Sequence, residues 1–216
     1  MKLFIVGSTG PTGLLLVQQA LDKGHEVVTV VRSPGKMTVK HEKLTVIEGS
    51  VLQDSAMVAH MKGCDAVISA IGGQNGTFNP CTIYTASGCA VVKAMREAGV
   101  KRLVVCTAWA TKDDPELPVL WRWVFRYTFI RNVLRDMGEL EDYLALDCTD
   151  LNITVVRPGV LTNGPLSGTP LQTAVDGYSV GGAWLMGGSI SRADVAAFML
   201  GCLDNANYDN KSVAII

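Results

Sequence analysis

Residues 2–33 constrain the fold more than any other stretch. Lys2–Val6 is a short apolar run, Gly7-Ser8-Thr9-Gly10-Pro11-Thr12-Gly13 is a glycine-rich turn, and Leu14–Lys23 carries helical periodicity. His25–Val31 is a second apolar run, ending at Arg32-Ser33. Two parallel strands need a crossover of this length, usually a helix. A glycine-rich turn at the start of that helix gathers unpaired backbone N–H groups and the positive helix end at one spot. Such a spot binds phosphate, so the stretch predicts a dinucleotide-binding unit. The spacing is Gly7-x-x-Gly10-x-x-Gly13. Gly7 allows a tight turn, Gly10 a close approach by pyrophosphate, and Gly13 close packing of helix on strand. Ser8, Thr9 and Thr12 are expected to add hydroxyl contacts, and Pro11 sits among them at the helix start.

The pattern then repeats. Lys43–Glu48 predicts a third strand, Asp54–Met61 a short helix, and Asp65–Ile71 a fourth strand stopped by Gly72-Gly73. Thr82–Ala98 reads as a long helix closed by Gly99, and Lys101–Thr107 as a fifth strand. Glu139–Leu146 is helical, and Asn152–Arg157 is a sixth strand. Runs this apolar suit strands buried on both faces. Strand–helix alternation predicts a Rossmann-like doubly wound parallel sheet of the α/β class in a single domain, 1–216. Two stretches depart from the alternation, about 108–137 and 158–190, and both read as excursions on the substrate side. In the first, Trp121, Trp123, Phe125, Tyr127 and Phe129 fall on alternate residues; the alternation by itself favours a strand, while the family resemblance given below implies a helix, which is the expectation taken. Ser191-x-x-Asp194 resembles a capping box opening a helix through Leu203, and Ser212–Ile216 predicts a final edge strand.

Composition excludes several classes. The chain has 216 residues, 48% apolar and 18% charged, so it can bury a substantial core and is not globally disordered. Net charge is −1 with no basic block, which argues against a nucleic-acid partner. No apolar run is long enough to span a bilayer, and the opening run is too short for a signal peptide. Six scattered cysteines without a CxxC pair predict free thiols in a reducing, cytoplasmic compartment and no metal site. A monomer or a weak homo-oligomer is expected.

Ligands in this architecture bind at the carboxyl ends of the strands. At the end of strand two stand Arg32 and Ser33, with Lys36 close behind. Cationic and hydroxyl groups there suit a 2′-phosphate, so NADP(H) is the predicted cofactor. Ser50-Val51 would meet adenine, and Ala70-Ile71-Gly72 would pass beneath the ribose. Cys106-Thr107 and Pro158-Gly159-Val160, after strands five and six, complete the candidate cofactor lining. Gly73 and Trp109 are candidate substrate contacts. Thr107, at the end of strand five, is a candidate catalytic hydroxyl. Tyr143 is the other catalytic candidate, but Asp147 follows it where a Tyr-x-x-x-Lys pair would have Lys. Glu139 precedes Tyr143 by one helical turn and is expected on the same face. His25, His41 and His60 all lie in the first third, away from that end.

These motifs carry a resemblance over nearly the whole length. GSTGPTG at 7–13, VVRS at 30–33, GSVLQ at 49–53, CDAVISAIG at 64–72, VKAMREAGVKRLVVCT at 92–107 and FMLGCLDNANYDN at 198–210 resemble the atypical short-chain dehydrogenase/reductase group. Within it the chain is most similar to the flavin reductases of the biliverdin reductase B kind. VVRPGVLTNGP at 155–165 is closer to the wider NAD(P)-binding, NmrA-like group. The resemblance implies NADPH held at Gly10, Thr12, Gly13, Arg32, Ser50, Val51, Ile71 and Thr107. It also implies hydride transfer to a planar acceptor such as flavin or a linear tetrapyrrole; a regulatory protein that only senses NADP is the alternative. The chain departs from the flavin reductase pattern at Ala108, where that pattern has serine. Glu139 and Val160 stand where it has histidines near the substrate, and residues 117–137 are longer and more aromatic.

Overall fold

A computed structural model of the chain describes residues 1–73, 80–112, 130–181 and 188–216. The aromatic stretch 121–129 lies outside these residues, and so does its predicted helix. The strands are β1 (Lys2–Val6), β2 (Glu26–Val31), β3 (Leu44–Glu48), β4 (Ala66–Ser69), β5 (Arg102–Cys106), β6 (Asn152–Pro158), β7 (Val160–Thr162), β8 (Thr173–Val175), β9 (Ser189–Ser191) and β10 (Lys211–Ile215). The helices are α1 (Pro11–Asp22), α2 (Asp54–Met61), α3 (Ile83–Ala98), α4 (Arg131–Asp147) and α5 (Arg192–Gly201).

Eight strands form one sheet in the order β3-β2-β1-β4-β5-β6-β10-β8. Every pair is parallel except β10 with β8. This is the predicted Rossmann-like doubly wound architecture. Neighbouring residues of a strand point to opposite faces, and here both faces are covered. Phe4, Val6, Val28, Val30, Val67, Val105 and Val155 pack beneath α2, α3 and α4. Leu3, Ile5, Val27, Val31, Ile68, Val104, Val156 and Val213 pack beneath α1 and α5. Burial on two faces is why the strands read as unbroken apolar runs. The sheet order turns back between β1 and β4, which places the ligand crevice at the carboxyl ends of those strands.

Three expectations are corrected. β10 is not an edge strand: β8, drawn from the polar 158–190 excursion, adds beside it antiparallel. α4 begins eight residues before the predicted start, at Arg131 rather than Glu139. α5 ends at Gly201, before Leu203, although its predicted cap holds: Ser191 Oγ accepts the Asp194 N–H. The excursion also supplies β7 and β9, which pair parallel with each other. All six cysteines are free. Among the described residues no helix is long and apolar enough to cross a membrane, and no cluster of ligating side chains suits a metal ion.

Candidate functional site

The loop from β1 to α1 is shaped by steric limits that only glycine meets at two of its three positions. Gly7 has φ +76°, and a Cβ there would lie 2.4 Å from the Ala70 carbonyl oxygen. A Cβ on Gly13 would lie 2.1 Å from the Gly7 oxygen, so α1 seats directly on the loop. The Gly10 N–H donates to Gly7 O at 3.1 Å and closes the turn. Gly10 is the N-cap of α1 and brings no side chain to it; Pro11 follows, and no acidic residue stands in the first turn. The first-turn N–H groups of a helix have no intrahelical acceptor. Here they form a cradle with the positive helix end behind it, which fits a pyrophosphate. Thr9 and Thr12 border this cradle half-buried. Ser8 does not: it is fully buried and bonds Thr29 Oγ1 at 2.5 Å, while Thr29 Oγ1 donates to Ile5 O at 2.7 Å. Ser8 anchors the loop to β2, which corrects its predicted ligand contact.

Around the cradle the other predicted cofactor residues line the strand ends. Arg32, Ser33 and Lys36 are exposed after β2, and Arg32 has no ion pair or hydrogen bond to another described residue. After β3, Ser50 Oγ accepts the Leu52 N–H at 3.2 Å, and Val51 packs half-buried on the core. After β4, the Ala70 N–H donates to Val6 O at 3.0 Å. Ile71 and Gly72 follow, and the Gly73 N–H donates to Tyr84 Oη at 2.9 Å. Burial pushes the thiol of Cys106, at the end of β5, up to about 12, which disfavours the nucleophilic thiolate. Beyond β6, a Cβ on Gly159 would lie 2.0 Å from Gly188 O, and the Val160 N–H donates to that same oxygen at 2.8 Å. Val160 is left 63% exposed at the mouth.

The expected catalytic groups are arranged differently. Thr107 is buried, and its hydroxyl donates to Glu141 Oε1 at 2.6 Å. Thr111 donates to Glu141 Oε2 at 2.9 Å. Arg157 completes the cluster, donating to Glu141 through Nε at 3.2 Å and Nη2 at 2.8 Å. The Arg157 Nη1 donates to Gly177 O, and its guanidinium lies 4.1 Å from the Tyr178 ring centroid. Glu141 and Arg157 are each 4% exposed. The Thr107 proton is thus committed inward, to a carboxylate that already receives three other donors.

Tyr143 lies elsewhere. Two residues along a helix turn by roughly 200°, so it leaves α4 opposite Glu141. Its phenol is pushed up to about 12, chiefly by burial and then by the neighbouring Cys148. Glu139 does not share its setting: it pairs with Arg135 in solvent at 2.9 Å. One and two turns before Glu141 on α4 stand Met137 and Val133, both packed into the core. Trp109, a candidate substrate contact, is half-buried against Val180, Ala214, Ala174 and Ile216. Behind Glu141 and Arg157 a cleft of about 460 Å³ opens along α4, β6 and β10, lined also by Leu144, Ile153, Tyr178 and Lys211. It includes none of Gly7–Gly13, Arg32 or Gly72 and is not the cofactor crevice.

Sequence reading missed the Glu141–Arg157 pair, yet traces of it were present. Arg157 interrupts an otherwise apolar strand. Glu141 falls on the buried stripe of Leu134, Met137, Gly138 and Leu144. A charge forced into each buried pattern calls for a partner. Asp136 was missed in the same way: it is 1% exposed and accepts the Tyr84 N–H at 2.9 Å and the Thr85 N–H at 3.1 Å, capping α3 from α4.

Residues 7–206 match the family described as NAD(P)H-binding. The chain belongs to that family. The match begins at the first glycine of the cradle and runs through α5, leaving out only the flanking strands β1 and β10 among the elements described above. Among curated relatives, the uncharacterized sugar epimerase YhfK of Bacillus subtilis is 27% identical, with 98% of this chain and 92% of that protein covered. Among solved structures, the oxidoreductase ylbE from Lactococcus lactis superposes with a TM-score of 0.78 at 18% identity, covering 100% of this chain and 90% of that one. A short-chain dehydrogenase/reductase from Veillonella parvula, solved in complex with NADP, gives 0.75 at 19% identity, covering 99% and 93%. At such identities the structural likeness bears on the fold. The family assignment supports an oxidoreductase-like or epimerase-like NAD(P)H-binding protein.

Proposed function

We propose that the chain is an NADPH-dependent reductase that passes hydride to a planar acceptor, a flavin, linear tetrapyrrole or quinone-like ring. The observation that carries this reading is the inward-turned Thr107 hydroxyl. A carbonyl reductase or a sugar epimerase must move a proton on or off an oxygen, and a positioned side chain usually does so. Among the described residues at the end of β5, the Thr107 hydroxyl donates to Glu141, Tyr143 leaves α4 on the side opposite Glu141, and one and two turns before Glu141 stand Met137 and Val133. A planar conjugated acceptor asks less: it needs a stacking surface and a hydride at the right distance, and solvent protonates the product. The exposed Val160 side chain offers apolar surface at that mouth. Arg32, exposed at the end of β2 with no ion pair or hydrogen bond to another described residue, favours NADPH over NADH through the 2′-phosphate.

NADPH oxidation with FMN, and separately with dichlorophenolindophenol, tests the reading. Turnover is expected, and Thr107→Val should retain most of it. Tight NADPH binding with no turnover of any acceptor would sink the reductase reading. It would favour an NADP-sensing regulatory protein, which the lack of a free proton donor among the described residues also suits.

A further inference from the structure

The loop after β4 is fixed at two points. At one end the Ala70 N–H is held by Val6 O at 3.0 Å, beside the glycine cradle. At the other the Gly73 N–H is held by the phenol oxygen of Tyr84 at 2.9 Å. Between these points lie Ile71 and Gly72, the residues expected to pass beneath the cofactor's ribose; they follow β4, which lies across β1 from β2 and β3, at whose ends the adenine half is expected. Gly73 also fits tightly against its anchor: a Cβ there would lie 3.2 Å from Tyr84 Cε2 and 3.3 Å from Ile83 Cγ2.

Tyr84 is in turn held rigidly. It is the second residue of α3 and 5% exposed. Its N–H and that of Thr85 both donate to the buried Asp136 carboxylate of α4. Thr85 Oγ1 donates to the same carboxylate at 2.7 Å. Thr82, the N-cap of α3, makes no side-chain cap bond, so Asp136 takes over that role from a neighbouring helix. Burial raises the Tyr84 phenol above its ordinary value, and it remains a neutral hydroxyl that accepts from Gly73.

We propose that Tyr84 is a positioning residue for the nicotinamide half of the cofactor, setting the Ile71–Gly72 loop through Gly73, with Asp136 setting Tyr84. The inference rests on the family's NAD(P)H binding and not on any acceptor. The arrangement concerns one half of the dinucleotide only. The adenine half meets the ends of β2 and β3, which Tyr84 does not touch.

That asymmetry gives the test. Dissociation constants for NADPH and for adenosine 2′,5′-bisphosphate, which lacks the nicotinamide half, are measured by calorimetry on the full chain and on Tyr84→Phe. Loss of one neutral hydrogen bond should weaken NADPH about five- to tenfold and leave the bisphosphate unchanged. Asp136→Asn, which keeps the shape but loses one acceptor oxygen, should show the same split. Equal weakening of both ligands would mean a general structural loss, and no change in either would mean the loop is set without Tyr84; both overturn the proposal. Acceptor turnover is not measured here, so failure of the reductase reading leaves this test intact.

Discussion

Glu141→Ala isolates the buried charge at the centre of the substrate side. The substitution strips Arg157 of both its contacts to a carboxylate, at Nε and Nη2. The guanidinium is left with Gly177 O and the Tyr178 ring, and its side chain is 5% exposed. The Thr107 and Thr111 hydroxyls lose their acceptor as well. Breaking a buried pair from one side costs about 3–5 kcal/mol, because the remaining charge is neither solvated nor paired. For a chain of this size each kcal/mol shifts the midpoint by roughly 2–4 °C. Glu141→Ala should therefore lower Tm by about 6–20 °C and move the urea midpoint without changing the slope. The paired substitution Glu141→Leu with Arg157→Met removes both charges and should recover most of the loss, to within about 2 kcal/mol of the unmodified chain. A single substitution costing less than about 1 kcal/mol, or a double as unstable as the single, would refute the account of a desolvated pair.

Other expectations follow from the same contacts. Arg32→Glu should weaken NADPH roughly 10- to 100-fold by removing a charged partner and adding repulsion, with little effect on NADH; equal losses in a titration of both cofactors would remove the case for a 2′-phosphate site. Gly13→Ala forces a Cβ to within 2.1 Å of Gly7 O, so NADPH binding should be lost and stability should fall by about 1–3 kcal/mol in urea; a variant that still binds NADPH normally contradicts the cradle geometry. Burial would raise the Asp194 carboxyl, but hydrogen bonds from Ser191 and from Ser167 outweigh it and hold the group below its ordinary 3.8. Its contribution is thus present above that value and is lost as pH falls through the lower folded value. The Tm difference between the unmodified chain and Asp194→Asn should be constant near neutrality and shrink below about pH 4; a difference that grows on acidification reverses the sign.

Legibility of the chain follows the range over which each cause acts. Gly7 and Gly13 were readable because their role is a local backbone limit, set within one turn. Arg32 was readable because a strand end is a fixed place in this fold. The three hydroxyls of the loop looked alike in sequence, yet Ser8 is turned under the loop onto Thr29, a strand away. β8 was hidden because Thr173–Val175 is three residues in a polar, proline-bearing stretch, and only its pairing with β10 makes it a strand. The Glu141–Arg157 and Asp136–Tyr84 contacts join positions 16 and 52 residues apart. A sequence shows such charges as exceptions to an apolar pattern but does not say which exceptions meet.

Several polar groups on the described elements share one property: their hydrogen-bonding capacity is spent on the scaffold. Thr107 and Thr111 are turned to Glu141, Ser8 to Thr29, Asp136 to the start of α3 and Asp194 to Ser167 and Ser191. Each removes a side chain from chemistry and adds rigidity to a loop that borders the cofactor. Among the described residues the groups left for the ligand are the backbone N–H donors of the cradle, the Thr9 and Thr12 hydroxyls beside it, the exposed cations after β2 and apolar surface near Val160. Such a set binds and orients a dinucleotide well and transfers protons poorly. Under the proposed reductase reading the demand on the acceptor is chemical: it would take a hydride with no proton delivered in the same step by any of the described residues. That requirement, more than the shape of the mouth, is what narrows the proposed substrates to conjugated rings.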